Sequence, residues 1–305
     1  MGICCLCSCG LALHLVAAHA RNWVQPIVQR KIVSIIWMVP IYAVESWLSL
    51  RFTKHAPLMD MFRDCYEAYV VYVFFALCVA YLGEDRTDHT KIDHTQVIMK
   101  LQEQGSISHL APFDRCAHPW NLERHAVRFL TRCKINILQF VLVKPACTFV
   151  ALLLTLCDRY KEGRIDFTQG YVYIAFIDNL SVSLSLYYLV LFYMATRATL
   201  ARRRPLAKFL CVKCVVFFTW WQGLFLSILC WLGMLQGSDA EEGCGQASTT
   251  TQNVLIQLEM LVLALAHVQF FSAAECACDT TRLAMQRSLS SLLPVDQQGL
   301  REDLR

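Results

Sequence analysis

The chain has 305 residues, of which 56% are hydrophobic and 17% charged, with a formal net charge of +4. Soluble domains carry roughly 25% charged residues, so the composition excludes an ordinary soluble globular fold. A net charge this small gives no basis for nucleic-acid binding.

Spanning a bilayer takes about 20 mostly apolar residues, and seven stretches meet or approach that length. The predicted spans are 3–20, 32–50, 65–83, 135–157, 170–194, 209–235 and 254–274. The first is short and carries His14 and His19; a start lying further upstream would also explain its brevity. Pro40 falls inside the second span and Pro145 inside the fourth, where a kink is expected and neighbouring helices can satisfy the freed carbonyl. The connection 84–134 mixes charge, His and Pro and is expected to be a cytosolic loop with short amphipathic helices. Residues 280–305 read as a weakly ordered cytosolic tail that follows one membrane domain, 1–279.

Basic residues orient the spans, because cytosolic connections are enriched in Lys and Arg. The connections after spans one, three and five and the tail together hold 20 of them. Those after spans two, four and six hold 6, and Lys144 and Lys213 lie within spans. The expected fold is therefore all-α, a seven-span bundle with its N-terminus outside and its C-terminus cytosolic.

The 16 cysteines sit mostly in apolar stretches, where cysteine behaves as a small hydrophobe. Cys116, His118, His125 and Cys133 fit no zinc spacing, and no cofactor or metal is expected. The opening "MGICCLCSCG" resembles an acylation signal, but position six is Leu where the myristoylation pattern takes Ser or Thr. Its predicted outside location also argues against acylation. Cys276 and Cys278, at the cytosolic end of span seven, are the better candidates for lipidation.

A charge inside a membrane helix costs about 2.5–3.5 kcal/mol on insertion scales, so such residues are functional candidates; interhelical pairing is the competing explanation. The set is Glu45, Glu67, Lys144, Asp178, Lys213, Glu259 and His267, with neutral Asn179 and Gln222. Lys213 can snorkel to the cytosolic face. The orientation puts Glu45, Glu67, Asp178 and Glu259 in the outer halves of four helices, with Lys144 near mid-depth. This predicts an outward-facing vestibule with acidic walls and Lys144 at its floor. Trp221 beside Gln222 adds an aromatic wall suited to an amphipathic ligand.

Six stretches in order carry a family resemblance, including "VPIYAVESW", "RDCYEAYVVYVFFALCVAYLGE", "ILQFVLVKPACTFVALLL", "YVYIAFIDNLSVSLSLYYLVLFYMATR", "FTWWQGLFLSIL" and "IQLEMLVLALAHVQFFS". The chain resembles the organic solute transporter alpha / transmembrane protein 184 family from about Gln25 to Ser272. The family positions include Pro40, Glu45, Arg63, Asp64, Glu67, Lys144, Pro145, Trp221, Gln222 and Glu259. The short first span, the ending "SAAECACD" and the lack of a cytosolic cysteine cluster lean the resemblance toward the transmembrane protein 184 branch. The resemblance implies seven spans and the movement of amphipathic organic solutes such as steroid conjugates. It also implies a single-span partner subunit or a homo-oligomer in the plasma membrane or an endomembrane.

Two function classes follow. The first is a transporter of amphipathic organic solutes, with the polar set as substrate-binding residues. The second is a receptor-like or trafficking-regulatory seven-helix protein without transport. An enzyme is not expected, since no catalytic aspartate pair and no His-Glu metal motif is present.

Overall fold

The computed structural model describes residues 2–52, 56–83, 91–110, 118–157, 170–203, 207–211, 222, 225, 228, 229, 242–274 and 276. These residues are almost entirely helical. Helix α1 is Gly2–Arg21, α2 is Pro26–Ile36, α3 is Met38–Arg51 and α4 is Ala56–Leu82. Helix α5 is His94–Gln102, α6 is Leu122–Leu156, α7 is Tyr171–Leu200 and α8 is Glu242–Phe270. Among the described residues, six segments are long and apolar enough to cross a membrane: α1, α2 with α3, most of α4, α6, α7 and residues 250–270 of α8. The expected span 209–235 and the tail 280–305 lie almost wholly outside the described residues.

The second span breaks at Trp37, between α2 and α3. The break falls three residues before Pro40, where a proline ring crowds the preceding turn and offers no N–H. Pro145, by contrast, stays inside α6, whose non-helical residue is His125. That helix begins at Leu122, well before the expected 135. Leu122, Ala126, Phe129, Cys133, Ile137 and Phe140 are buried along it, at the three- and four-residue spacing of one helix face. Arg124, Arg128 and Arg132 lie among the exposed positions between them.

Among its described residues the long connection holds the short helix α5 and a two-stranded antiparallel ribbon, β1 (Ser106–Ile107) with β2 (Trp120–Asn121). Asp93 caps α5 by accepting from the backbone N–H groups of Thr95 and Gln96, the usual role of an N-cap carboxylate. Gly105, at φ 70°, makes the turn into β1 in a conformation that favours glycine. Its carbonyl accepts from Leu122 N–H.

The bundle has two distinct ends. The C-terminal end of α3, the start of α4, the end of α6 and the start of α7 come together at one of them, through the side-chain contacts described below. At the other, His19 near the end of α1 hydrogen-bonds Phe271 O just past α8, at 2.8 Å. Lys100 of α5 donates to Leu82 O, and Gln104 donates to Thr199 near the end of α7. The first is called the ion-pair end and the second the hairpin end. The buried core runs between them, with α4 packed on α2, α3 and α6, and with α8 packed on α1 and α3.

Candidate functional site

An alternating row of charges crosses four helices at the ion-pair end. Arg63 Nη1 of α4 lies 3.2 Å from Glu45 Oε2 of α3. Arg63 Nε is 3.9 Å from Asp64 Oδ1. Asp64 Oδ2 is 3.0 Å from Lys144 Nζ of α6, and Lys144 Nζ is 2.8 Å from Asp178 Oδ2 of α7. The order is thus Glu45, Arg63, Asp64, Lys144, Asp178. Exposure rises along part of the row, from 6% at Glu45 and 14% at Arg63 to 35% at Asp64, then 17% at Lys144 and 23% at Asp178. Charges this sheltered persist because each finds an opposite partner.

Helical spacing explains the convergence. Arg63 and Asp64 are neighbours on α4, so one faces α3 while the other faces α6. Ser49, one turn after Glu45, donates to Glu45 Oε1 at 3.0 Å and orients that carboxylate. Beside the row, Ser181 of α7 donates to Gln139 Oε1, and Gln139 Nε2 donates to Ser181 O. This reciprocal pair fixes α6 against α7 and holds Lys144 level with Asp178.

The sequence as a whole matches a known family. The family model described as "Organic solute transporter Ostalpha" matches residues 1–276. The chain belongs to the organic solute transporter alpha family. It is also similar to "Protein LAZ1 homolog 1" of Arabidopsis thaliana, 35% identical over 271 residues, which is 87% of this chain and 54% of that protein. The chain therefore spans about half the length of the curated relative it matches, a likeness on the transmembrane protein 184 side of the family. No solved structure matches. The family is one of transporters rather than enzymes. Together with six apolar helices among the described residues, membership makes the chain a multi-pass membrane protein.

The predicted site residues divide into groups. Glu45, Lys144 and Asp178 share the row. Glu67 sits one turn after Arg63 on α4, within electrostatic reach of Tyr42. Asn179 is exposed and donates to Ala175 O of its own helix. Glu259 of α8 accepts from Gln222 Nε2 and is not in the row. His267 is buried at the hairpin end, its ring edge-on to Phe271 and without a hydrogen-bond partner among the described residues. Trp221 and Cys278 lie outside the described residues. Cys276 is buried. Among the described residues no group of three or more His, Cys, Asp or Glu could hold a metal ion.

Arg63 and Asp64 take part in three of the four links in the row, and the intramembrane polar set omitted them. The expected span began at Cys65, whereas α4 begins at Ala56 and carries both residues into the bundle. The signal that could have found them is the Arg63–Glu67 spacing of one helical turn. The polar link of α3 to α8 was missed as well: Gln257 Nε2 donates to Ala43 O and Ser46 Oγ, at 2.5 and 2.8 Å.

Proposed function

We propose that the chain moves amphipathic organic solutes across the membrane, with the ion-pair end as the solute's polar station. The observation that carries this is the row of five charges through four helices. Intramembrane charges that are partly open to the surface mark solute or ion pathways. Lys144 is its centre, held by two carboxylates on different helices. A solute's polar group that competes for either contact changes what ties α6 to α4 and α7.

The same reading takes the bundle as seven spans, with the ion-pair end outside. Helix α7 ends at the hairpin end, where Lys208 donates to Tyr81 OH at 3.1 Å. Helix α8 runs from the other end, and Gln222 meets Glu259 partway along it. A chain that leaves one end and returns from the other crosses once more between them. The connections rich in Lys and Arg gather at the hairpin end, which supports a cytosolic placement for it. A single-span partner or a second copy would seat on α6 and α7, whose apolar residues are largely exposed.

Flux into liposomes holding the purified chain tests the proposal. Labelled steroid-bodied amphipaths should enter faster than in empty liposomes, and Lys144→Ala should abolish the difference. Equal flux with and without the chain, over solutes of several charges, would remove the transport reading in favour of a receptor-like one.

A further inference from the structure

Lys144 is one ammonium group shared by two carboxylates, Asp64 at 3.0 Å and Asp178 at 2.8 Å. The second oxygen of Asp178, Oδ1, is buried and has no hydrogen-bond partner among the described residues. A buried carboxylate oxygen left without a donor is costly, so this half of Asp178 is an open acceptor.

A second open group faces the same row from α3. Tyr42 is 2% exposed, and its hydroxyl has no hydrogen-bond partner among the described residues. Glu67, Arg63, Asp64 and Glu45 all lie within its electrostatic reach. Buried tyrosine hydroxyls ordinarily find a partner. What is open along the row is therefore oxygen: one carboxylate oxygen and one phenol.

We propose that the ion-pair row is a binding site for a compact ammonium group. The proposal deepens the reading of this end as the solute's polar station and rests on it for the route of entry. The chemistry is already displayed by Lys144 Nζ, an alkylammonium that two of these carboxylates hold at hydrogen-bond distance. An incoming ammonium that opens the row enough to reach these buried oxygens gives N–H donors to Asp178 Oδ1 or to the Tyr42 oxygen and leaves the contacts of Lys144 with Asp64 and Asp178 in place. An anionic head would have to separate Lys144 from two carboxylates and would meet Asp64 and Asp178 on arrival. Arg63 and Lys144 oppose a second cation, and Glu45, Asp64, Glu67 and Asp178 favour it.

The ammonium can be the head of an amphipathic amine or a free small amine, and the test separates them. The unfolding midpoint of the purified full chain in detergent is followed with a steroid amine, the sulfate of the same ring system, methylammonium chloride and sodium chloride. The steroid amine should raise the midpoint saturably and the sulfate should not. If the apolar body contributes, methylammonium acts only at a concentration about a hundredfold higher; if the site takes the free ion, the two amines act alike. Asp178→Asn, which keeps the Lys144–Asp64 contact, should weaken the amine at least about tenfold, the scale of one charged hydrogen bond. Tyr42→Phe, which removes only the hydroxyl, should weaken it about threefold. A sulfate that binds as well as the amine overturns the proposal. So does sodium chloride matching methylammonium, or an unchanged amine affinity in both variants. Binding is read without flux, so an amine that binds but is not moved removes the transport reading and leaves the site. A sulfate that is moved while the amine does not bind does the reverse.

Discussion

The two ends of the bundle are tied by different chemistry. At the ion-pair end, α3, α4, α6 and α7 are joined by charges in series, each of the three inner members serving two neighbours. At the hairpin end, α1, α2 and α8 meet through neutral groups. Gln29 Oε1 accepts from Val24 N–H and Gln25 N–H, both at 2.8 Å, and its Nε2 donates to Asn22 O at 2.6 Å. His19 closes the same cluster onto Phe271 O. Cations there pack on rings, with Lys208 and Arg203 over Tyr81. Removing a neutral bond loses that bond and strands at most a dipole. Removing one member of a charged row strands whole charges on both sides. The ion-pair end should therefore respond to single substitutions as a set, and the hairpin end one contact at a time.

The largest effect expected is that of Lys144→Ala. Asp64 and Asp178 would then face each other without the cation between them. Breaking a buried pair costs about 3–5 kcal/mol, and partial exposure puts this site near 3. The comparison sharpens if Asp64→Asn and Asp178→Asn are added to that variant. With the stranded charges gone, most of the loss should return, and the unfolding midpoint should recover toward the parent's. A triple variant no more stable than Lys144→Ala would show that the ammonium stabilises by packing, and would remove the contrast between the ends.

At the hairpin end, Gln29→Ala should cost about 2 kcal/mol, since it leaves the buried N–H of Gln25 and the part-buried N–H of Val24 without their acceptor. Gln29→Glu keeps the acceptor and loses the donors, so it should recover part of that cost. Equal losses in the two variants would contradict the bond-by-bond picture. Gly83→Ala comes next, at about 1.5 kcal/mol, within the range for overpacking. A Cβ there would stand 2.6 Å from Ile92 Cγ2 and 2.7 Å from Val97 Cγ2, which forces α5 off the end of α4. Hydrogen exchange should quicken in residues 94–102 while the amides around Lys144 stay protected. Equal quickening at both ends would mean the two are not separable.

The sequence made the contrast only half visible, for a definite reason. Apolar length locates the long membrane helices, six of them among the described residues, and the spacing of Lys and Arg predicts which connections share a side. They also grouped Glu45 with Asp178, because depth along a helix follows from 1.5 Å per residue. Depth says nothing about azimuth. Glu259 lies two residues from Gln257, which meets Ser46 beside Glu45, yet its carboxylate pairs with Gln222. Arg63 and Asp64 escaped the polar set because a hydropathy boundary cuts a helix where its charges begin, and α4 continues past that boundary. His19 drew notice only as a flaw in a short span, when it is the fully buried tie between α1 and the end of α8. A polar residue inside an apolar run announces that it has a partner; only tertiary structure names the partner.

The smallest effect expected falls at the junction of the two regimes. Ser46 is one residue from Glu45, but its contacts are neutral: it donates to Tyr42 O and accepts from Gln257 Nε2. If the charged row acts as a rigid set, Ser46→Ala should cost only its own interhelical bond, about 0.6 kcal/mol by the average for membrane bundles. Gln257 keeps its contact with Ala43 O, so only the amide hydrogen that faced Ser46 loses its acceptor. A double-mutant cycle of Ser46→Ala with Lys144→Ala should then be additive within about 0.5 kcal/mol. A larger coupling would mean that α3 transmits the loss of the row to α8. The division would then lie between α8 and the rest of the bundle instead of between the two ends.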